Sequence, residues 1–220
     1  MYNLPYFKEN DPKVVLQFMR EHPFAVLAGC NAANKPVATQ VPLLMEERDG
    51  KLFLQGHIMR QTDHHKAFES NPEVLAMFTS PHIYVSASWY SNPQQGSTWN
   101  YITVHAHGRL HFMNEDGLIA LMKKLTLHFE NNNPQSATVY DNLPDEYTSR
   151  LIKAIIGFEI EVYQIDNVFK LSQNRDEQSF HAIIEKLEQQ GPNGNYIASE
   201  MKQRAATLFD PLKPKQTFNS

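Results

Sequence analysis

Gly56-His57-Ile58-Met59-Arg60, then His64-His65-Lys66, then Asn71-Pro72, and beyond an apolar run Ser88-Trp89-Tyr90 and Thr98-Trp99-Asn100-Tyr101: the stretch 56–108 decides how this chain is read. Cationic side chains cluster at the end of one predicted strand and in the helix that follows it. Aromatic and amide side chains follow on the next two strands. That order suits a ligand with an anionic end and a flat ring end. An anion needs donors and positive charge in a fixed array; Arg supplies a rigid fork, Lys a mobile point charge, and a helix N-terminus adds N–H groups. His57, Arg60 and Lys66 flank the predicted start of a helix over 62–69, with Thr62 or Asp63 as its cap. On spacing alone, an ordinary solvated surface beside a capped helix accounts for the same cluster better, because short basic clusters are common.

Working outward, the elements upstream are short. Asp11-Pro12 opens a helix with Asp as N-cap and Pro at the first helical position. Residues 24–30 read as a strand, 37–45 as a second and 51–57 as a third, with Asp49-Gly50 as the hairpin turn between the last two. Thr39, Gln40 and Val41 lie inside the second strand, just before Pro42. A proline there points to an edge or a bulge, where backbone groups are left free. Those groups can meet a ring edge, or simply mark an edge that resists aggregation.

Downstream, 73–78, 83–89 and 99–112 read as strands. Asn114 or Glu115 caps a helix carrying Leu118, Leu121, Met122 and Leu125 at helical spacing. A helix over 144–155, a strand over 158–165, a helix over 176–190 ended by Gly191 and a last helix over 197–206 complete the chain. Strands at short spacing with tight turns favour a small β-barrel with helical additions over a parallel βαβ sheet. With no internal repeat or linker, the expectation is one domain over 1–205 and a loose tail over 206–220.

Trp89, Tyr90, Trp99 and Tyr101 can stack on a flat ring, although tryptophans on adjacent strands more often belong to a core. Alternation places Trp99, Tyr101, His105 and His107 on one face of the long strand. His105-Ala106-His107 has the spacing of a metal pair, but no third ligand can be assigned, and the chain has 10 histidines; no metal is expected. Lys170-Leu171-Ser172-Gln173-Asn174 packs a lysine, a hydroxyl and two amides into five residues, either to close a ligand site or to cap the next helix. No Gly-x-Gly-x-x-Gly, Gly-x-Ser-x-Gly or Cys-x-x-Cys occurs.

The bulk numbers narrow the function classes. The chain has 220 residues, 41% of them hydrophobic, and a formal net charge of −4 from 20 basic and 24 acidic residues. Without a basic block, direct DNA binding is not expected. Cys30 is the only cysteine, which rules out a disulfide within the chain and agrees with a reducing cytoplasm, the expected location. The segment 1–7 lacks the charged and apolar regions of a secretory signal, and no apolar run approaches the roughly 20 residues that cross a bilayer.

The order of motifs carries more than any one of them. Ala38-Thr39-Gln40-Val41-Pro42-Leu43, Gly56-His57…Arg60, Pro81-His82-Ile83-Tyr84-Val85-Ser86…Ser88-Trp89-Tyr90, Thr98-Trp99-Asn100-Tyr101, Val104-His105-Ala106, Gly157-Phe158-Glu159-Ile160 and Lys170-Leu171-Ser172-Gln173-Asn174 resemble the PaiB-type family of FMN-binding transcriptional regulators. The likeness extends to about Met201. It implies a flavin-binding split β-barrel with C-terminal helices, similar to pyridoxamine-phosphate oxidase, working as a homodimer with FMN at the subunit interface. It further implies that His57, Arg60 and Lys66 face the FMN phosphate, that Thr39, Gln40 and Val41 run along the ring edge, and that Trp99, Asn100, Lys170, Ser172 and Gln173 surround the site. The chain departs from the family after the Arg: Thr62-Asp63 and His65 stand where Asn-Pro and then a Trp are usual, and Asp63 brings negative charge to the corner.

The expected function is that of a flavin-dependent oxidoreductase or a redox-sensing, transcription-regulating protein, with no catalytic acid or base assigned. The alternatives are a haem-binding split barrel that uses His105 and His107, and a cofactor-free regulator that acts through a partner.

Overall fold

The computed structural model describes residues 1–210. Eight strands and six α-helices follow in the order α1 (Pro12–Glu21), β1 (Phe24–Cys30), β2 (Pro36–Pro42), β3 (Leu44–Arg48), β4 (Lys51–Met59), α2 (Asp63–Ser70), β5 (Glu73–Thr79), β6 (Ile83–Val85), β7 (Thr98–Phe112), α3 (Glu115–Phe129), α4 (Asp145–Ala154), β8 (Ile155–Lys170), α5 (Glu177–Leu187) and α6 (Gly191–Leu208). The strands are ordered β2-β1-β5-β7-β8-β4-β3, with β6 paired to β7. Each pairing with a defined register is antiparallel.

The chain divides into two compact units. The first comprises Met1–Val15, Thr79–Val104 and residues 167–210. The second comprises Leu16–Phe78 and His105–Asp166. In the second unit, Ala25, Leu27, Leu54, Phe68, Phe78, Phe158 and Ile160 are buried almost completely. Leu118 and Met122 of α3 cluster with Ile152 of α4 and Ile155 of β8. In the first unit, Ile102, Phe169, Leu171, Phe180, Ile183, Leu187, Ile197 and Met201 are buried. The two long strands β7 and β8 run through both units.

Local chemistry explains most boundaries. Asp11 accepts from the Lys13 N–H at 2.9 Å and starts α1. Thr62, Asn114 and Asp176 cap α2, α3 and α5 through side-chain oxygens that accept backbone N–H groups. Asp49 and Gly50 both have positive φ, 50° and 74°, as a two-residue hairpin requires.

Four sequence expectations need correction. The predicted strand over 37–45 is two strands, because the chain turns at Leu43, which is buried and donates its N–H to Pro23 at 2.8 Å. The run 83–89 stays extended only to Val85; Ser86 then accepts from the Ser88 N–H and Ala87–Trp89 coils into a 3-10 turn. The late strand is longer at both ends, covering Ile155–Lys170. The last helix begins at Gly191 and continues to Leu208, into the segment expected to be a loose tail. The part of that tail over 211–220 lies outside the described residues.

Candidate functional site

The eleven nominated residues fall into two groups, one in each unit. The second unit holds Thr39, Gln40, Val41, His57, Arg60 and Lys66. His57 lies on β4 opposite Gly157 of β8. Its ring is half-buried, and its Nδ1 is enclosed by protein with no hydrogen-bond partner. Burial holds the imidazole below its usual pKa, so the ring is neutral at neutral pH. Just beyond β4, the Arg60 N–H donates to the Ala154 carbonyl at 2.9 Å. Gln61 then turns into the left-handed region, φ 66°.

The start of α2 is tied down from within. Thr62 Oγ1 donates to the Met59 carbonyl at 3.0 Å and accepts from the His65 N–H at 3.3 Å. The Gln61 N–H donates to His65 Nδ1 at 3.2 Å. Asp63 accepts from the His64 N–H at 2.8 Å and lies 3.2 Å from His64 Nδ1. The His64 backbone contact, the largest cause, holds the Asp63 carboxyl below its usual range. The amides of His64 and His65 are therefore already engaged, which removes them from the set of donors expected at this helix start. Cationic side chains remain. Arg60 and Lys66 are exposed, and neither takes part in the ion pairs formed among the described residues.

The same unit brings this corner to β2. Helix α2 packs on both β1 and β2, and β2 also approaches β4. A Cβ added at Gly56 would lie 3.1 Å from the Pro42 carbonyl oxygen and 3.0 Å from Leu43. Strand β2 ends the sheet order and, among the described residues, pairs with β1 alone, with Val26 opposite Gln40 and Leu27 opposite Thr39. Thr39 is half-buried, Gln40 exposed and Val41 buried. The edge strand inferred from Pro42 is thus present, beside the cationic corner.

The first unit holds Trp99, Asn100, Lys170, Ser172 and Gln173. Here the polar groups satisfy one another. Asn100 is 0% exposed; its Oδ1 accepts from Ser172 Oγ at 3.0 Å, and its Nδ2 faces Met201 Sδ at 3.6 Å. Gln173 Oε1 accepts from the Leu171 N–H at 2.7 Å, and its Nε2 donates to the Phe169 carbonyl. Ser172 holds a left-handed backbone, φ 64°. Lys170 Nζ donates to the Trp99 carbonyl at 3.0 Å and to Thr98 Oγ1, and lies 5.7 Å from the Tyr2 ring centroid. Burial, and secondarily the charge of Arg175, lower its pKa. Trp99 is 51% exposed, flanked by His82 and Tyr84 at 5.7 and 5.8 Å between ring centroids. A cavity of about 210 Å³ opens beside it, lined also by Tyr101 and Ile102.

Sequence reasoning overlooked Arg175, whose guanidinium lies 4.2 Å from the Tyr90 ring centroid and donates to the Gly96 carbonyl at 3.5 Å. Nor was the contact between the Gln61 N–H and His65 Nδ1 visible in the sequence. His105 is held below its usual pKa chiefly by burial, and His107 Nε2 lies 3.5 Å from Asp166. No group of three metal-ligating side chains forms among the described residues.

Residues 1–164 match the family described as "Putative FMN-binding domain". Among curated proteins, "Protease synthase and sporulation protein PAI 2" of Bacillus subtilis is 32% identical over 207 residues, spanning 93% of this chain and 98% of that protein. Among solved structures, the flavocytochrome Anf3 of Azotobacter vinelandii superposes with a TM-score of 0.56 at 14% identity, covering 77% of this chain and 72% of that one. An FAD- and haem-binding protein of Mycobacterium smegmatis gives 0.50 at 14% identity, over 74% and 72%.

Proposed function

The chain belongs to the FMN-binding family, in the split-barrel class, and on that premise we propose that it is a flavin-dependent redox protein whose FMN phosphate is held at the corner between β4 and α2. The observation that carries this reading is a group of cationic and imidazole side chains in one unit: Arg60 and Lys66, exposed and without acidic partners among the described residues, and the half-buried ring of His57. A phosphate pairs with Arg60 and Lys66, and meets His57 at Nε2, the ring nitrogen that the protein does not enclose. Neutral His57 supplies an N–H donor, Arg60 a bidentate fork and Lys66 a point charge. The free edge of β2, at 39–41, offers backbone groups to a ring edge. When bound, FMN supplies the one- and two-electron chemistry; the chain binds and orients it.

In the same reading, Asn100, Ser172 and Gln173 shape the turn that carries Lys170, while Trp99 presents an aromatic face. The protein acts as a homodimer, so that each cofactor meets residues of both copies. A role in redox-linked regulation, in keeping with the name of the Bacillus subtilis relative, is the second reading. The net charge of −4 makes a partner protein its more economical route to DNA. The haem alternative would take His105 and His107 as ligands, and the ring of His107 lies 3.5 Å from Asp166.

Absorbance of the purified protein, followed by titration with FMN and with riboflavin, tests the proposal. Expected are a flavin spectrum and a preference for FMN that reports the phosphate contacts. A colourless protein that takes up neither flavin overturns it.

A further inference from the structure

Six non-glycine residues among those described have a left-handed backbone. Four are Asn34, Asp49, Asn131 and Asn132, whose short polar side chains tolerate that region. Gln61 has no such help. It is exposed, its φ is 66°, and it joins Arg60 to the cap residue Thr62. The bend therefore draws its stability from its surroundings.

Those surroundings converge on His65, which is 4% exposed and packs edge-on to Phe112 at 5.1 Å between centroids. His65 Nδ1 receives the Gln61 N–H at 3.2 Å. A ring nitrogen that accepts is unprotonated, so the ring proton sits on Nε2, which lies 3.5 Å from Glu69 Oε1. The His65 N–H also fixes Thr62 Oγ1, which reaches back to the Met59 carbonyl. One residue thus clamps both sides of the bend that follows Arg60.

We propose that His65 is a positioning residue for the flavin phosphate: its Nδ1 holds Gln61 left-handed and so fixes the direction in which Arg60 leaves β4. The inference rests on the FMN reading above, but its first readout needs no flavin. Exchange of the Gln61 amide proton, followed by NMR, reports the contact directly. His65→Asn places an acceptor where Nδ1 stands; His65→Gln places its amide where Nε2 stands and keeps the site polar.

His65→Gln is expected to speed Gln61 exchange and to weaken FMN binding about tenfold, with riboflavin affinity unchanged. His65→Asn is expected to stay within about twofold of the parent in both. Adding Gln61→Gly to His65→Gln restores most of the FMN affinity, because glycine adopts positive φ without strain. Unchanged Gln61 exchange in a folded His65→Gln protein overturns the clamp, as does a His65→Asn protein as impaired as the Gln one. A parent protein that ignores FMN overturns the flavin reading beneath it, whatever the exchange data show.

Discussion

The corner at 57–66 and the turn at 170–174 look alike in sequence: each mixes a cation, a hydroxyl and amide or imidazole groups within ten residues. Folded, they are opposites. At the corner, Arg60 and Lys66 are exposed and form no ion pair among the described residues, and His57 Nδ1 has no hydrogen-bond partner among them. At the turn, Asn100, Ser172 and Gln173 close on one another and on the backbone. In the proposed reading, the open cations at the corner meet a ligand, and the paired groups at the turn hold a shape. Most buried polar groups are paired, and at the turn the side chains of Asn100, Ser172 and Gln173 each have a partner. The two regions share one trait: among the described residues, Gln61 and Ser172 are the left-handed residues that are neither glycine nor Asn or Asp.

Four experiments test this contrast. The largest effect is expected at the corner. Arg60→Ala should weaken FMN binding roughly ten- to hundredfold while leaving riboflavin binding and the melting temperature unchanged, since a charge-assisted phosphate contact is lost and nothing in the fold depends on it; equal losses for both flavins would place the phosphate elsewhere. At the turn the reverse is expected. Asn100→Ala leaves the Ser172 hydroxyl buried without its acceptor and should lower unfolding stability by about 2 kcal/mol, with the FMN-to-riboflavin ratio preserved. A denaturant titration that shows no loss would mean that the turn is not the closed network described.

Lys66→Ala should cost only about two- to fivefold in FMN affinity, because an exposed, mobile point charge contributes little and is screened by salt. That loss should shrink further at high ionic strength. The smallest expected effect is a pH dependence. Burial lowers the pKa of His57 and His105 from 6.5, so in acid the unfolded chain takes up protons that the folded rings resist. Their contribution to stability is present above about 6.5 and declines as pH falls through the window beneath it. FMN should blunt that decline at His57 by favouring its protonated form. Melting curves from pH 7 downward, with and without FMN, would show it.

The sequence was most legible where structure is made locally. The caps Thr62, Asn114 and Asp176 and the Asp49-Gly50 turn act through neighbours one to three residues away. Strand β1 ends where the polar turn after Cys30 begins. The chain is less legible where distant partners decide. The break at Leu43 depends on Pro23, twenty residues earlier. The early start of α6 was hidden behind Gly191-Pro192-Asn193-Gly194, which reads as a loop; yet a Cβ at Gly194 would fall 2.1 Å from the Leu187 carbonyl oxygen, so the glycine serves close packing against the end of α5. In the candidate site, residue types and order were visible, and family likeness gave them roles. Which of them bond to each other was not visible, because Asn100 and Ser172 stand 72 positions apart and nothing in the sequence signals that the two side chains meet.

Strand β2 has a further consequence. It terminates the sheet, and prolines at both its ends, Pro36 and Pro42, withhold their amide hydrogens. A foreign strand seeking to extend the sheet there would find a ladder only a few rungs long. The margin beside the cationic corner is thereby blunted against the addition of another strand.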